Sequence, residues 1–154
     1  MDVLAYSAND DSTRIGHVTL NGDVVWQGLM SARGVNTLLI DPFFCSVRES
    51  RCFDTHASSK SARKLRDYMH QLKSGAVIVG VTADEPSKKL SSALSTLQEF
   101  GVDVDDVRYR GSFAFVAQKG YPYKTALNKV LTTRASNRAP AHVNAFITGA
   151  YEVL

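Results

Sequence analysis

Two adjacent carboxylates, Asp84 and Glu85, stand where an apolar run changes into a polar, helix-like pattern. In the stretch VIVGVTADEPSKKL the apolar segment ends just before the two acids, and a proline and a serine follow them. A carboxylate pair is the machinery of a glycosidase, but such pairs normally come from different chain elements, because adjacent side chains usually point apart. An acid, or Ser87, at this position also stabilises the start of a helix through its unpaired amides. The local pattern leaves a catalytic pair, a ligand-binding hook and a helix start open.

The remaining residues that could do chemistry are scattered. No two histidines form an HxH or HxxxH pair, so no metal site is expected; they are His17, His56, His70 and His142. The chain has no GxSxG elbow, no GxxxxGK[ST] loop and no GxGxxG run. The sequence therefore predicts neither an enzyme nor a bound cofactor.

Cys45 and Cys52 are the only cysteines, and six residues separate them. That spacing is too long for a CxxC redox or zinc motif. If SVRES forms the end of a hairpin, the two side chains face each other on neighbouring strands and a disulfide is expected, which implies an oxidising compartment. Two reduced thiols are the alternative.

Length and composition indicate one compact domain over residues 1–154. Hydrophobic residues make up 44% of the chain and charged residues 21%, as in a globular protein. The longest apolar runs, such as Ala76–Val81, are too short to cross a bilayer, so no membrane insertion is expected. A net charge of +3 is weak evidence for nucleic acid, and no such partner is predicted. The basic run Lys60–Arg66 is either a solvated helix face or a contact for phosphate or sulfated glycan.

The first third of the chain has the pattern of strands. Asn-Gly between two β-rich runs is a strong hairpin signal, because both residues tolerate positive φ. The predicted strands are Asp2–Ser7, a hairpin within Arg14–Gly28 around Asn21-Gly22, Gly34–Asp41, and Arg51–Thr55 as a partner of Gly34–Asp41.

The period then becomes helical. Leu65, Tyr68, Met69 and Leu72 recur at helical spacing, with Ser58 or Ser59 to cap the helix and Gly75 to end it. Alternation of helices and strands predicts a mixed α/β domain. The later elements are a strand at Ala76–Val81, a helix within Ser87–Gly101, a strand at Arg110–Gly120, a short helix at Lys124–Leu131 and a terminal strand at His142–Thr148.

Five motifs occur in an order and spacing that resemble a known family. They are RGVNTLLID (Arg33–Asp41), RCFDT (Arg51–Thr55), GAVIVGVTADEPSKKL (Gly75–Leu90), LQEFG (Leu97–Gly101) and RYRGSFAFVAQKG (Arg108–Gly120). This set resembles the interleukin-like EMT inducer domain, also called the pancreatic-derived-factor (ILEI/PANDER) domain, from about Asp2 to about Leu131. The likeness is greatest to the stem domain of protein O-linked-mannose β-1,2-N-acetylglucosaminyltransferase, and to free-standing invertebrate lectins that bind N-acetylglucosamine.

The resemblance implies two packed β-sheets with two to three flanking helices, and a lectin that binds N-acetylglucosamine or related N-acetylhexosamine glycans without catalysis. In the resembled stem, the sugar site uses an Asp and an Arg that fall on Asp84 and Arg110. The sequence departs from the family pattern at Pro86, in place of a glycine, and at Gly111, in place of an acid. The further candidate binding residues are Glu85, Ser87, Tyr109, Phe113, Lys119 and Gly120, with Trp26 and Tyr121 as additional aromatic candidates.

The same resemblance implies a secreted or extracellular protein. No signal-peptide pattern follows Met1, so a secreted protein would be present here in its mature form. A homo-oligomer is expected, because several weak sugar sites on one particle multiply avidity. The alternative function is a secreted, cytokine-like signal that acts on a protein receptor, although signalling members of the family carry more cysteines.

Overall fold

The computed structural model describes residues 1–7, 16–28, 32–120, 127–131 and 141–147, with 127–131 as backbone only. Helix α1 spans Ser59–Gln71, and helix α2 spans Leu94–Glu99 after a 3₁₀ turn at Ser91–Ala93. In chain order the strands are β1 (Asp2–Tyr6), β2 (Gly16–Leu20), β3 (Asp23–Gly28), β4 (Gly34–Asp41), β5 (Ser46–Phe53), β6 (Val77–Ala83), β7 (Ser112–Gln118), β8 (Leu127–Leu131) and β9 (His142–Phe146).

These strands form two antiparallel sheets. The four-stranded sheet has the order β3-β2-β1-β9, and the five-stranded sheet has the order β5-β4-β6-β7-β8. The hairpin predicted at Asn21-Gly22 is confirmed: it joins β2 to β3, and both residues have positive φ. That backbone geometry is the one a tight hairpin turn requires.

The central strands of the five-stranded sheet, β4, β6 and β7, are buried on both faces. One face packs on the four-stranded sheet, through residues such as Val3, Val18, Leu38, Val79 and Val116. The other face packs on the helices, through residues such as Leu65, Met69, Ile78, Leu97 and Phe115. Strands buried on both faces read as continuous apolar runs, which accounts for AVIVGV. The predicted α+β class, with two packed sheets and helices outside, is confirmed.

Gly80 interrupts this apolar run for a steric reason. A Cβ built on Gly80 would lie 2.1 Å from Cε1 of Phe115, a fully buried ring on the neighbouring strand β7. Glycine in a strand interior often marks such a close approach. The residue therefore makes room for the aromatic core beneath the helices.

Helix α1 begins as predicted. The Ser58 side chain accepts a hydrogen bond from the Lys60 amide at 3.1 Å, and one face of the helix is buried: Ala62, Leu65, Tyr68 and Met69. The second predicted helix begins later than expected, because Pro86–Leu90 forms turns and helical structure starts only at Ser91. Ser87 therefore does not cap a helix.

The third predicted helix, at Lys124–Leu131, is wrong over its second half. Residues 127–131 form β8, which pairs antiparallel with β7. Cross-strand pairing overrides the local helical preference of this segment. The first residues of that predicted helix, 124–126, lie outside the described residues.

The predicted disulfide is absent, and both cysteines are free and exposed. SVRES does not form the end of a hairpin but is part of β5, so Cys45 lies in the turn before that strand and Cys52 near its other end. An extended strand rises about 3.3 Å per residue. The two Cα atoms are therefore far beyond the ~7 Å limit for a disulfide.

Candidate functional site

The candidate site lies at one end of the five-stranded sheet. Because the strands are antiparallel, the segments before β4, after β5, after β6 and before β7 all lie at this end. Asp84 and Glu85 follow β6, and Arg110 precedes β7. The Arg110 amide donates to Glu85 Oε1 at 3.2 Å, which joins the two segments directly.

Glu85 is the scaffold of this site. It is only 2% exposed. Its Oε1 accepts hydrogen bonds from the Ser87 amide at 2.9 Å, the Ser87 hydroxyl and the Arg110 amide. Its Oε2 accepts from the Lys88 amide at 3.1 Å and from His56 Nδ1 at 3.0 Å. One buried carboxylate thus ties together three segments of the chain.

The ionisation of Glu85 follows from these contacts. Burial by itself would raise the pKa of Glu85, but hydrogen bonds from Ser87, His56 and the Lys88 amide outweigh it and hold the pKa below the ordinary value. A carboxylate that accepts several hydrogen bonds is stabilised in its charged form. Glu85 is therefore a fixed, ionised acceptor whose oxygens are already in use by the protein.

Asp84 and Arg110 share an unusual backbone conformation. Their φ angles are +56° and +61°, in the left-handed region that non-glycine residues rarely adopt. Both residues are partly exposed. Within the described residues, the Asp84 carboxylate makes no hydrogen bond, in contrast to Glu85. Strained backbone of this kind concentrates at ligand-binding and active sites.

An exposed aromatic ring lies beside Arg110. Tyr109 is 54% exposed, and the Arg110 guanidinium carbon lies 5.5 Å from the centroid of its ring. The His56 ring lies near the same side chain, with a centroid separation of 6.4 Å. The same end of the sheet therefore carries the Asp84 carboxylate, which follows β6, and the adjoining Arg110 guanidinium and Tyr109 ring, which precede β7.

Asp54 and Thr55, which follow β5, make further polar contacts at the edge of the site. Arg33 binds both carboxylate oxygens of Asp54, with its shortest contact at 2.8 Å. The pKa of Arg33 is raised, first by that hydrogen bond and further by the charges of Asp54, Asp84 and Glu85. The Thr55 hydroxyl donates to the Pro86 carbonyl at 2.6 Å, and the Thr55 backbone carbonyl accepts from the Lys89 amide at 2.8 Å.

Some predicted residues lie elsewhere. Phe113 is fully buried and stacks on Phe115, at a ring-centroid distance of 6.3 Å. Lys119 and Gly120 follow the opposite end of β7, which by strand geometry is about 25 Å from Arg110. The Lys119 ammonium donates there to the Met69 and His70 carbonyls at the end of α1. Trp26 packs beside the core between the sheets, and Tyr121 lies outside the described residues.

The site also contains residues that sequence reasoning passed over. Arg33 opens one of the family motifs and His56 directly follows another, but neither was predicted as a site residue. The pairing of β4 with β5 and with β6 brings them to Asp54 and Glu85. Only their position could have indicated a role. Arg33 directly precedes β4 and His56 lies three residues after β5, and this is the end of both strands at which the site lies. Among the described residues, no group of three or more His, Cys, Asp or Glu side chains could hold a metal ion.

A sequence profile of the family described as interleukin-like EMT inducer (ILEI) matches residues 33–121. The chain belongs to the ILEI family. The ILEI match begins at Arg33 and extends beyond Gly120, so it contains every site residue described above, while β1–β3, β8 and β9 lie outside it. No curated protein matches the chain. The likeness to a glycosyltransferase stem and to particular lectins therefore stays a prediction.

No helix in the described part of the chain is long and apolar enough to span a membrane.

Proposed function

We propose that this ILEI-family protein is a secreted lectin that binds N-acetylglucosamine or a related N-acetylhexosamine without catalysing a reaction. The observation that carries the proposal is the grouping of Asp84, Tyr109 and Arg110 at one end of the five-stranded sheet. All three are at least partly exposed, and the buried carboxylate of Glu85 fixes the backbone on either side.

These three side chains suit a sugar ring. A carboxylate such as Asp84 accepts from two adjacent hydroxyls, and charge-assisted hydrogen bonds are stronger than neutral ones. A guanidinium such as that of Arg110 donates in a planar fork, which matches hydroxyls or an acetamido carbonyl. The Tyr109 ring offers an apolar face of the kind that covers the C–H side of a sugar.

The different environments of Asp84, which is accessible, and Glu85, which is buried, favour binding over catalysis. A glycosidase needs two carboxyl groups free to face the scissile bond. Glu85 is instead enclosed and accepts five hydrogen bonds from the protein. A fixed scaffold beneath one accessible carboxylate lowers the ordering cost of binding, which is the general benefit of a preorganised site.

A glycan array with free N-acetylglucosamine as competitor tests the proposal. We expect retention on glycans with terminal N-acetylhexosamine, and loss of the signal on competition. Asp84→Ala should weaken binding about 10- to 100-fold, since a hydrogen bond to a charged group contributes about 1.5 to 3 kcal/mol.

Asp23→Asn is the matched control, because Asp23 is an exposed acid on the four-stranded sheet, away from the site. It should bind as the wild type does. A folded wild-type protein that binds no glycan on the array, or an Asp84→Ala variant that binds normally, contradicts the proposal. Receptor activation that is insensitive to sugar would support the cytokine-like alternative instead.

A further inference from the structure

Helix α1 carries a group of cations on its exposed side. Lys60, Arg63 and Lys64 are exposed, and their spacing of three and four residues places them on one face of the helix, opposite the face that packs on the sheet. Within the described residues, none of these side chains forms an ion pair, and Arg63 donates only to the Ser59 hydroxyl, at 3.4 Å. Their charges are therefore available to a partner.

A second segment adds two lysines at the start of this helix. Lys88 and Lys89 are exposed in the turns after β6. The Lys88 amide donates to Glu85 Oε2 at 3.1 Å, and the Lys89 amide donates to the carbonyl of Thr55, just before the Ser58 cap, at 2.8 Å. The backbone of both lysines is thus fixed beside the first turn of α1. We call the five cations together the basic face: Lys60, Arg63, Lys64, Lys88 and Lys89.

The acids nearest to the basic face in the sequence are already engaged. Asp54 and Asp67 are each bound by an arginine at 2.8 Å. Glu85 is buried, and the charge of Asp84 acts on Arg33, whose pKa it helps to raise. The basic face therefore keeps a surplus of positive charge, and its five cations exceed the net charge of +3 of the whole chain.

This arrangement works against the stability of α1. The amino end of a helix is the positive end of its dipole, where acids stabilise the helix and cations do not. The first turn of α1 contains no acid but does contain Lys60. Lys60 and Lys64 are also four residues apart, a spacing at which like charges repel each other. A sequence that departs from such local rules of stability commonly does so for function.

We propose that the basic face binds a linear sulfated polysaccharide. Sulfate esters stay ionised at every physiological pH, and guanidinium and ammonium groups bind such oxyanions through strong, charge-assisted hydrogen bonds. The cations form a strip that runs from Lys88 and Lys89 along the first two turns of α1. A polymer with regularly repeated charges meets several of them at once, and each further contact multiplies its affinity.

The composition of this surface favours a sulfated polysaccharide over other polyanions. Proteins that bind single-stranded nucleic acid stack the bases on aromatic rings, and proteins that lie on a membrane insert apolar side chains. In α1 and in the turns 86–90, every phenyl, tyrosyl and large aliphatic side chain is instead buried or half-buried. A secreted protein, as proposed above, also meets sulfated polysaccharides outside the cell.

The basic face is separate from the proposed N-acetylhexosamine site. It uses none of Asp84, Tyr109 and Arg110, although the turns after β6 connect the two surfaces along the chain. Asp84→Ala should therefore bind heparin, a linear sulfated polysaccharide, as the wild type does. Free N-acetylglucosamine should not displace heparin from the protein.

Heparin chromatography of the full chain tests the proposal, with a sulfonate cation exchanger in parallel. The wild type should elute from heparin at a higher salt concentration than from the exchanger, because net charge alone determines retention on the exchanger. Anisotropy of fluorescein-labelled heparin then measures affinity. The double variant Lys60→Gln, Lys64→Gln should bind about 5- to 10-fold more weakly, as expected for the loss of two exposed ion pairs.

A matched pair of single variants separates position from net charge. Lys64→Gln and Lys73→Gln each remove one exposed cation, but Lys73 lies beyond the other end of α1. Lys64→Gln should weaken heparin binding about 2- to 3-fold, whereas Lys73→Gln should bind as the wild type does.

Lys60→Glu tests the argument from helix stability. It should weaken heparin binding and yet raise the melting temperature by about 1 to 3 °C, because an acid then lies in the first turn of α1. A cation that served only to stabilise the fold would give the opposite result, a lower melting temperature.

Three results would overturn the proposal. They are a wild type that elutes from heparin no later than from the exchanger, equal affinities for Lys64→Gln and Lys73→Gln, and duplex DNA bound as tightly as heparin. Loss of heparin binding in Asp84→Ala would likewise reject a separate face and assign both ligands to one site.

Discussion

Removing the Glu85 carboxylate should destabilise the candidate site and lower the free energy of unfolding of the protein. Glu85→Ala leaves the amides of Ser87, Lys88 and Arg110 without their acceptor. An unsatisfied buried donor costs about 1 to 3 kcal/mol, and we take the lower end for each because these donors are only partly buried. The variant should lose about 3 kcal/mol of stability, which lowers the melting temperature of a chain of this size by about 9 °C.

Glu85→Gln should be milder, at about 2 kcal/mol, because one oxygen remains as an acceptor. The amide group that replaces the other oxygen faces the Lys88 amide, and two donors cannot bond each other. Denaturant titration followed by circular dichroism measures both variants. Glu99→Ala is the matched control: Glu99 is an exposed acid that contacts His70 at 3.3 Å, and its loss should cost less than about 0.5 kcal/mol.

The effect should depend on pH with a definite sign. The pKa of Glu85 is lower in the folded state than its ordinary value of 4.5. A lowered pKa contributes stability that is present above that ordinary value and disappears as the pH falls through the folded-state pKa. The difference between wild type and Glu85→Gln should therefore be constant near neutral pH and shrink below about pH 4.5. An Ala variant as stable as the Glu99→Ala control would refute the scaffold role.

Three further predictions concern the core and the thiols. Gly80→Ala should cost about 2 to 3 kcal/mol in a denaturant titration, because its Cβ would meet the buried Phe115 ring at 2.1 Å; a cost near zero would show that the ring has room to move. Burial raises the pKa of Cys52, so iodoacetamide near neutral pH should alkylate Cys45 faster than Cys52. Peptide mass spectrometry measures both rates. Thiols that react only after reduction would instead indicate a disulfide. Burial, together with the negative charge of Glu49, raises the pKa of Tyr68 from 10.0 to about 12. Its neutral form therefore stabilises the fold below about pH 10, and this contribution is lost as the pH rises toward 12. A tyrosinate absorbance titration should show a late step that is missing in Tyr68→Phe, and a step at ordinary pH would contradict the burial of its hydroxyl.

Local signals in the sequence predicted local structure well. The Asn21-Gly22 turn and the α1 cap at Ser58 depend on neighbouring residues, and both are as expected. The continuous apolar run of β6 likewise indicated a buried strand. The α+β class followed from the alternation of these segments.

Features that depend on distant partners were harder to predict. Residues 127–131 carry a helical pattern but pair with β7, and Cys45 and Cys52 are kept apart because β5 extends through SVRES. Phe113 could not be recognised as core from alternation alone, since β7 is buried on both faces. No spacing rule predicts that Glu85 meets His56 and Arg110, which are 29 and 25 residues away.

An amide NMR titration with N-acetylglucosamine tests the proposed sugar site, because it reports both binding and its location. We expect saturable shifts that cluster at Asp84 and at Tyr109–Gly111, with Lys119 and Gly120 unchanged at the other end of β7. The Asp84→Asn variant should remain folded and lose these shifts. Shifts confined to the Lys119 end of the sheet, or none at millimolar sugar, would contradict sugar binding at Asp84 and Arg110.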